Sequence, residues 1–489
     1  MNPSMMNDGW FNETTLHPLG LAILLGAATA QFLVPRRFAL VPLLVLICLT
    51  GPAQRLVLAS IDFNFIRLMV LAAWIRIIVR GELRTLRWNA LDYAFVAWAA
   101  GAAFIGVLQR NSGASIIHWS GSMYDAFGLY FLVRMVVRDW GDVRTFGQSA
   151  ALVSIPMLLA FSYEWTTGHN LFSAFGGVPA ETTVRMGVPR CQGPFIHPIL
   201  AGVFWTALMP LMAAVWFRGG MNRVLAVAGV SSAMAIVFMC GSATPLLGAA
   251  AGAAAAAIIF VRRWIRIVQL GGLAALVGLQ LAMINPIWHL MARGNIVDGA
   301  TGWYRFRLLD DFIRHFPDWW LIGTQDRSTW WNNGKWAITN EYVLQGLEGG
   351  LLGLSLFILV IILAFRAVGR MWRREDMPRM LIQVKRDGQR VVQPALQREQ
   401  RERLVLAWSL GVLMCVHVVS FLSVTNFGQA IFVWFVPLGM IGSLAPMATA
   451  NRRFAIRRTR AADSKQNETA VKPAAAEKPD LDDDGLVPA

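Results

Sequence analysis

Residues 301–353 read TGWYRFRLLDDFIRHFPDWWLIGTQDRSTWWNNGKWAITNEYVLQGLEGGLLG and join a polar, tryptophan-rich loop to the start of an apolar helix. The loop includes a basic amphipathic segment, and the first turns of the helix carry Thr339, Asn340, Tyr342 and Glu348. A hydrophobic chain gains no core from such a polar loop. We therefore expect this loop to carry the chemistry and the rest of the chain to anchor it at a membrane face.

The composition predicts a polytopic α-helical membrane protein. The chain has 489 residues, of which 56% are apolar and 15% are charged, and its mean hydropathy is +0.50. A soluble domain would carry about one-quarter charged residues. Apolar windows of about 18 residues or more recur along the chain and are typical of membrane-spanning helices. We therefore predict an all-α bundle with about 12–14 spans.

Thirteen spans account for the apolar segments. The second span is short, which favours a tilted or re-entrant segment. The predicted spans are residues 16–34, 38–51, 63–79, 91–108, 116–137, 145–161, 196–217, 224–240, 245–261, 265–284, 340–365, 404–424 and 427–446.

The arginine residues predict the orientation of these spans, because short cytoplasmic loops are enriched in Lys and Arg. With thirteen spans, every arginine-rich loop falls on one side, which puts the N-terminus outside and the C-terminus in the cytoplasm. The net charge of +15 is then a topology signal and not evidence for a nucleic-acid partner. The groups are Arg36 and Arg37, residues 80–87, 138–144, 218–223 and 262–266, the basic cytoplasmic loop 366–403, and residues 452–460.

Two long loops fall on the opposite, outer face. They cover residues 162–195 and 285–339, and loops of this length in a compact protein are usually functional. We predict one transmembrane domain over residues 1–450, with the large periplasmic loop 285–339 between spans 10 and 11. Residues 461–489 are rich in Ala, Pro, Lys and acidic residues and should be disordered.

Signatures for bound metal or nucleotide are absent from the sequence. There is no GxxxxGK[ST], HExxH or GxSxG pattern, and Asp-x-Asp occurs only in the acidic C-terminal tail, at residues 480–484, so no cofactor or metal site is expected. The cysteines lack metal-ligand spacing. Cys191 and Cys240 are either a disulfide, if both face outward, or small buried apolar side chains.

The end of the first long loop carries a candidate anion site. Arg190 precedes Gly193 and Pro194, and His197 stands at the start of the seventh span. A helix N-terminus beside a guanidinium attracts anions. The alternative is that the prolines only shape the helix entry and Arg190 pairs with a lipid headgroup.

The large outer loop carries arginines that the positive-inside rule does not explain. Arg305 and Arg307 suit two-pronged contact with a diphosphate. Arg307 also lies three and four residues before Asp310 and Asp311, which allows local ion pairs instead, so Arg305 is the preferred ligand. Tryptophans that either stack on sugar rings or form an interfacial belt are Trp303, Trp319, Trp320, Trp330, Trp331 and Trp336.

Glu348 is the strongest candidate for a functional ionisable residue inside the membrane. If the helix begins near Asn340, Glu348 lies about 12 Å along it, and an ionisable group at such a depth is costly and usually functional. Asp125 with Arg67 or Arg134 is interpreted as a structural buried pair, and His417 as a core histidine.

Three blocks of the sequence resemble the O-antigen ligase and exopolysaccharide polymerase family. TNEYVLQGLEGGLLGL at 339–354 is similar to the family signature HNxYLxxLxExGLLGL. RCQGPFIHPILAGVF at 190–204 resembles its R-x-x-G-x-F-x-H-P block, and YRFRLLDDFIRHFPDWWLIGT at 304–324 resembles the segment that ends in P-x-x-G-x-G. The blocks occur in family order within residues 185–425.

The resemblance implies a metal-independent enzyme that moves a glycan from undecaprenyl diphosphate at the periplasmic face of the bacterial inner membrane. By position, Arg190 and Arg305 would hold the donor diphosphate, with Arg307 and Trp303 as further substrate contacts. Asn340, Tyr342 and Glu348 would shape the cleft. The implied partners are the lipid-linked glycan, the bilayer and other polysaccharide export proteins.

The sequence departs from the ligase pattern at two positions. Thr339 stands where ligases have the His that would serve as the base, and Ala243 and Thr244 stand where an Arg follows Ser. A threonine cannot act as a base at neutral pH, so Glu341, Glu348 or His197 would take the proton. The Thr-Asn pair favours the polymerase branch. The alternatives are a flippase for the same lipid-linked sugars and a non-catalytic component of an export machine.

Overall fold

The computed structural model describes residues 13–58, 61–293, 301–330, 334, 337–375, 382–384, 390–392 and 394–446. The described residues up to Pro446 form one compact unit. The predicted disordered tail 461–489, Trp331, Trp336 and parts of the loops 285–339 and 366–403 lie outside the described residues.

The described chain is almost entirely helical, which confirms the all-α prediction. Each of the thirteen predicted segments contains a helix. The helices are α1 (Pro18–Leu33), α2 (Val41–Leu49), α3 (Phe65–Val79), α4 (Ala90–Arg110), α5 (Gly113–Val136), α6 (Trp140–Thr167), α7 (Pro198–Ala214), α8 (Met221–Met239), α9 (Ala243–Ala257), α10 (Ile265–Ala282), α11 (Leu290–Arg293), α12 (Thr301–Arg314), α13 (Phe316–Trp319), α14 (Glu341–Glu375), α15 (Pro394–Ser420) and α16 (Ala430–Pro446).

In the described residues, the β-structure consists of two isolated bridges (Thr15 with Arg55, and His169 with Glu181) and three antiparallel hairpins. The hairpins are short. They pair β1 (Arg55–Leu58) with β2 (Ile61–Asn64), β3 (Thr183–Arg185) with β4 (Val188–Arg190), and β5 (Ile382–Val384) with β6 (Arg390–Val392). Short 3-10 helices cover Arg36–Phe38, Leu171–Phe175, Val215–Arg218, Ile258–Trp264 and Ile287–His289.

Seven of the described helices are long and apolar enough to cross a membrane. They are α4, α6, α7 with the 3-10 turn that follows it, α8, α9 with its own extension, α14, and α15 from Gln397. Three shorter apolar helices lie in α1, α10 and α16. At about 1.5 Å per residue, the 9-residue α2 rises only about 13 Å, less than half of a hydrocarbon core. Multiple membrane-spanning helices are thus present, and the count of thirteen spans stays a prediction.

Helix α6 runs from one end of the bundle to the other. Asp142 lies in its first turn and Glu164 near its last, and the 22 residues between them span about 33 Å of helix, close to the thickness of a bilayer core. Asp142 bonds to Arg36, whereas Glu164 bonds to the segment that follows β4. We call the first the arginine end and the second the loop end.

Small residues allow α9 to pack closely against α15. A side chain at Gly252 would stand 2.9 Å from Cγ2 of Val416, and one at Gly248 would stand 3.0 Å from Oγ of Ser420. Close backbone approach is the usual role of small residues between membrane helices. The alanine- and glycine-rich run at 248–261 is therefore explained by packing in this part, as the sequence predicts.

Two ion pairs lie inside the bundle. Arg67 holds Asp125 through two hydrogen bonds of 2.8 and 2.7 Å. Arg134 holds Asp92 at 2.8 and 2.9 Å, and both side chains are 1% exposed. The interpretation of Asp125 as a structural pair is confirmed with Arg67 as its partner. His417 is fully buried with Nε2 2.8 Å from the Val433 carbonyl, which confirms a core histidine.

Arg134→Ala should destabilise the protein by about 3–5 kcal/mol, because it leaves Asp92 as an uncompensated buried charge. The measurement is thermal unfolding of the purified protein in detergent. The matched control is Arg403→Ala, which breaks the exposed pair with Glu399 and should cost less than about 1 kcal/mol. Equal shifts for the two variants would contradict this account of the Asp92 pair.

Candidate functional site

A buried carboxylate anchors the segment that carries Arg190. Glu164, at the loop end of α6, is 1% exposed and accepts hydrogen bonds from the backbone N–H groups of Gln192 at 3.0 Å and Gly193 at 2.8 Å. Gly193 has a φ of +55° and its Cα faces the Phe161 ring, so a side chain does not fit there. These contacts fix the path of the chain immediately after Arg190.

His197 caps α7 from the same segment. Its Nδ1 accepts a hydrogen bond of 3.1 Å from the N–H of Ile199, and burial, reinforced by the positive charge of Arg190, lowers its pKa to about 4. The imidazole is therefore neutral at physiological pH, with its proton on Nε2. In this arrangement His197 can donate a hydrogen bond but cannot take a proton without losing the cap.

The Arg190 segment packs against residues 241–244, which form the turn after α8 and the first residues of α9. The N–H of Cys191 donates to the Met239 carbonyl at 2.9 Å. Gly241 has a φ of +55°, and a Cβ there would lie 3.0 Å from Cγ of Arg190. Arg190 thus packs against this turn. Cys191 and Cys240 are both buried and unbonded, so the disulfide alternative is not realised in the structure.

Arg305 reaches the same turn from the large loop. Its Nη2 donates a hydrogen bond of 2.9 Å to Oγ1 of Thr244, which is 1% exposed. Gly241 and Thr244 are three residues apart, so their Cα atoms are separated by at most about 11 Å. Arginines from two loops more than 100 residues apart in the chain (Arg190 and Arg305) therefore converge on one turn.

Two further groups of the large loop lie beside Arg305. Burial raises the pKa of Tyr304 to about 12, while the charges of Arg327 and Arg305 and the hydroxyl of Thr339 act in the opposite direction. The Tyr304 phenol thus lies within range of both guanidinium groups and faces Thr339. The loop end therefore concentrates positive charge around Tyr304.

Asn340, Glu341 and Tyr342 hold the start of α14 against the end of α15. Asn340 Oδ1 caps the helix through the N–H groups of Tyr342 at 2.9 Å and Val343 at 3.2 Å. Both Glu341 carboxylate oxygens accept hydrogen bonds, from Gln345 at 2.8 Å and from the N–H of Asn426 at 2.7 Å. These residues position the backbone at the start of α14.

The Tyr342 hydroxyl is also engaged, since it donates to the Val418 carbonyl at 3.1 Å. The loop that follows α15 continues toward the first block, because Gln429 donates to the Pro194 carbonyl at 2.6 Å. The start of α14 and the Arg190 segment are therefore connected through residues 421–429.

Helix α14 breaks immediately after Glu348. Gly350 has a φ of +61°, and a side chain there would stand 2.5 Å from the Leu321 carbonyl oxygen. The groups freed by the break are satisfied elsewhere: Leu351 N–H bonds to Trp320, and the Leu347 carbonyl accepts from Thr324 N–H. The continuous apolar helix that the sequence suggested is thus interrupted by the large loop.

Glu348 is half-buried just before this break and lies within electrostatic range of Glu341 and Arg110. Gln109, next to Arg110 at the end of α4, bonds to the backbone carbonyls of Ile322 and Leu347. Glu348 therefore faces the α4 side of the loop end.

Arg307 differs from Arg305 although both lie on α12. Its guanidinium is 3.8 Å from Asp310 and 3.8 Å from Asp311, the local ion pairs that the sequence offered as an alternative. Trp303 is 44% exposed. Trp319 and Trp330 are instead buried with Phe312, Val343 and their neighbours in a core shared by the loop and α14.

The contacts at the loop end connect the three sequence blocks, and the sequence alone did not reveal these connections. Glu164, Thr244, Tyr304 and Gln429 were not predicted to belong to this region. An ionisable residue near the end of an apolar span was a signal for Glu164. The contacts run from Arg190 to Gly241, from Thr244 to Arg305, from Asn340 and Glu341 to Leu422 and Asn426, and from Gln429 to Pro194.

Comparison of the chain with protein-family profiles, with characterised proteins and with solved structures finds no match. Within the described part of the chain, no three His, Cys, Asp or Glu side chains form a group that would hold a metal ion. The side chains described at the loop end present guanidinium, carboxylate and hydroxyl groups.

His197→Asn should remove one source of acid sensitivity. The unfolded imidazole has a pKa of about 6.5 and the folded one about 4, so the unfolded state binds the proton more tightly. Stability is thus fully present above pH 6.5 and is lost as the pH falls toward 4. Asn keeps a capping oxygen and does not titrate.

At pH 5 the wild-type protein should lose on the order of 1–2 kcal/mol relative to pH 7.5 through this group, and His197→Asn should lose less. The measurement is thermal unfolding at both pH values, with His169→Asn as the exposed control. An identical pH dependence in wild type and His197→Asn would refute the cap assignment.

Proposed function

We propose that this protein transfers or polymerises glycan units carried on a polyprenyl diphosphate, in the manner of the exopolysaccharide polymerases that its three blocks resemble. The observation that carries the proposal is the convergence of Arg190 and Arg305 on the turn 241–244. Two planar guanidinium groups suit the oxygens of a diphosphate. Their positive charge would stabilise the negative charge that develops on the leaving diphosphate.

A glycosyl acceptor must also lose a proton, and Glu348 is the strongest candidate to take it. His197 has its Nδ1 occupied by the helix cap, and both oxygens of Glu341 accept hydrogen bonds. The Glu348 carboxylate has no hydrogen bond to another described residue. The donor would then lie between the arginine pair and the α4 side of the loop end, with Trp303 open to a sugar ring.

The proposal places the loop end at the periplasmic face of the bacterial inner membrane and the C-terminus in the cytoplasm. The support is that the described arginine-rich segments, residues 36–37, 80–87, 138–144 and 218–223, lie at the end opposite to the site, which agrees with the positive-inside rule. A lipid-linked substrate would reach the loop end from the surrounding bilayer, and other polysaccharide export proteins would receive the polymer.

Arg190→Ala and Arg305→Ala should each lower the rate of polymerisation by about 10²–10³-fold, because each removes a group that stabilises developing charge. The measurement is the chain length of lipid-linked glycan in cells that lack the native protein and express each variant at equal abundance. Arg190→Lys and Arg305→Lys should recover only part of the rate, since Lys lacks the two-pronged geometry.

Arg314→Ala is the matched control, because Arg314 lies on the same helix, is 70% exposed and pairs with Asp310. It should polymerise normally. Long polymer in both the Arg190→Ala and Arg305→Ala strains would overturn the proposal. Repeat units that fail to reach the periplasm in those strains would instead favour a flippase.

Thr244→Val should reduce polymerisation by removing the hydroxyl that holds Arg305, whereas Thr244→Ser should keep it. The loss of one hydrogen bond to a charged group corresponds to about a tenfold effect or more. The measurement is the same chain-length assay at matched abundance. Equal activity of the Val and Ser variants would show that Thr244 does not position Arg305.

A further inference from the structure

The arginine end of the bundle, opposite to the proposed active site, contains more positive than negative charge. Five arginines gather where α1, α3 and α5 end and α6 begins, and two carboxylates lie among them, those of Glu82 and Asp142. Asp142 forms an ion pair with Arg36 at 2.7 Å, and Glu82 forms one with Arg76 at 3.0 Å. The five are Arg36, Arg76, Arg80, Arg84 and Arg138.

Arg76 is the buried centre of this cluster. Its side chain is 0% exposed, and its Nη2 donates to Glu82 and to the Val34 carbonyl. Its Nε and Nη1 are buried and have no hydrogen-bond partner among the described residues. A buried unsatisfied donor costs about 1–3 kcal/mol, and more on a charged group. A bound ligand with acceptor oxygens would satisfy these two N–H groups.

Arg84 provides a second unmatched cation. In the described part of the chain it forms neither a hydrogen bond nor an ion pair. Burial lowers its pKa, and three neighbouring guanidinium groups act in the same direction against the weaker influence of Asp142. The neighbours are Arg134, Arg138 and Arg36. Arg36 is also within electrostatic range of Arg76, so Arg76 and Arg84 border one positive region.

Both hydrogen-bond donors and acceptors are left over at this end. The Gln31 side chain is 0% exposed, and neither its amide nitrogen nor its oxygen has a partner among the described residues. Oε2 of Glu82 and Nε of Arg138 are also buried and have no hydrogen-bond partner among the described residues. An anion that also carries hydroxyl groups would satisfy both kinds of group.

The immediate surroundings of the cluster are apolar and exposed. Leu33 is 74% exposed, Val79 is 73% exposed and Ile78 is 61% exposed. Leu33 directly precedes Val34, whose carbonyl accepts from Arg76 and Arg80. A ligand at the cluster would thus meet guanidinium groups at its head and apolar side chains along its body.

We propose that this cluster binds the headgroup phosphate of an anionic glycerophospholipid such as phosphatidylglycerol. Basic pockets between helices at the cytoplasmic side of a membrane are suited to such headgroups. A topology signal needs arginines only in the loop, where they can remain in water. The burial of Arg76 with two unused N–H groups is explained by a ligand and not by topology.

The test uses the full chain, purified in a non-ionic detergent and depleted of lipid. Its apparent melting temperature is recorded with increasing short-chain phosphatidylglycerol, with phosphatidylcholine of the same acyl chains, and with inorganic phosphate. Arg84→Gln removes a cation that has no bonding partner in the fold, so the variant should fold normally. Arg37→Gln removes an equal charge from an exposed neighbouring position and is the control.

Phosphatidylglycerol should raise the melting temperature of the wild type and of Arg37→Gln, and phosphatidylcholine should not. Arg84→Gln should need about tenfold more phosphatidylglycerol for the same rise. Equal responses of the two variants, or no response in the wild type, would overturn the site. Equal protection by inorganic phosphate would overturn the assignment to a lipid. Arg84 is remote from the loop end, so these outcomes are independent of the proposed polymerase activity.

Discussion

The hydrogen bond from Arg305 to Thr244 is the contact on which the loop end depends. It joins the large loop to the start of α9, at the turn against which Arg190 packs. Both partners are shielded from solvent to a large degree, so a charge-assisted bond is stronger here than in water. Without it, the two guanidinium groups would belong to independent loops, and the proposed diphosphate site would not be pre-formed.

Most of the polar residues at the loop end have a structural role, because they form hydrogen bonds that hold its backbone. Helix caps at His197 and Asn340 and the carboxylates of Glu164 and Glu341 satisfy backbone groups that the irregular segments would otherwise leave unpaired. In an apolar environment such groups must find partners within the protein. The proposed chemistry is assigned to Arg190, Arg305 and Glu348.

Hydropathy was sufficient to predict the thirteen apolar segments that each contain a helix, whereas the short helices α11, α12 and α13 of the large loop lie outside those segments. It could not predict the break at Gly350, because the loop backbone that crowds this glycine lies about 30 residues earlier in the chain. The sequence identified Arg305 as the arginine without a local acid, and the structure supplies its partner in Thr244, noted only as a departure from the ligase pattern. Glu164 escaped prediction because its partners are backbone N–H groups, which leave no sequence pattern.

The most direct measurement of the central claim is chemical cross-linking of cysteines placed at positions 190 and 305, in a chain whose four native cysteines are replaced. A short thiol-reactive cross-linker should join this pair in membranes and should not join positions 190 and 144, which lie at opposite ends of the bundle. Failure of the 190–305 pair to cross-link would show that the two loops do not meet, and the account of a diphosphate site would be wrong.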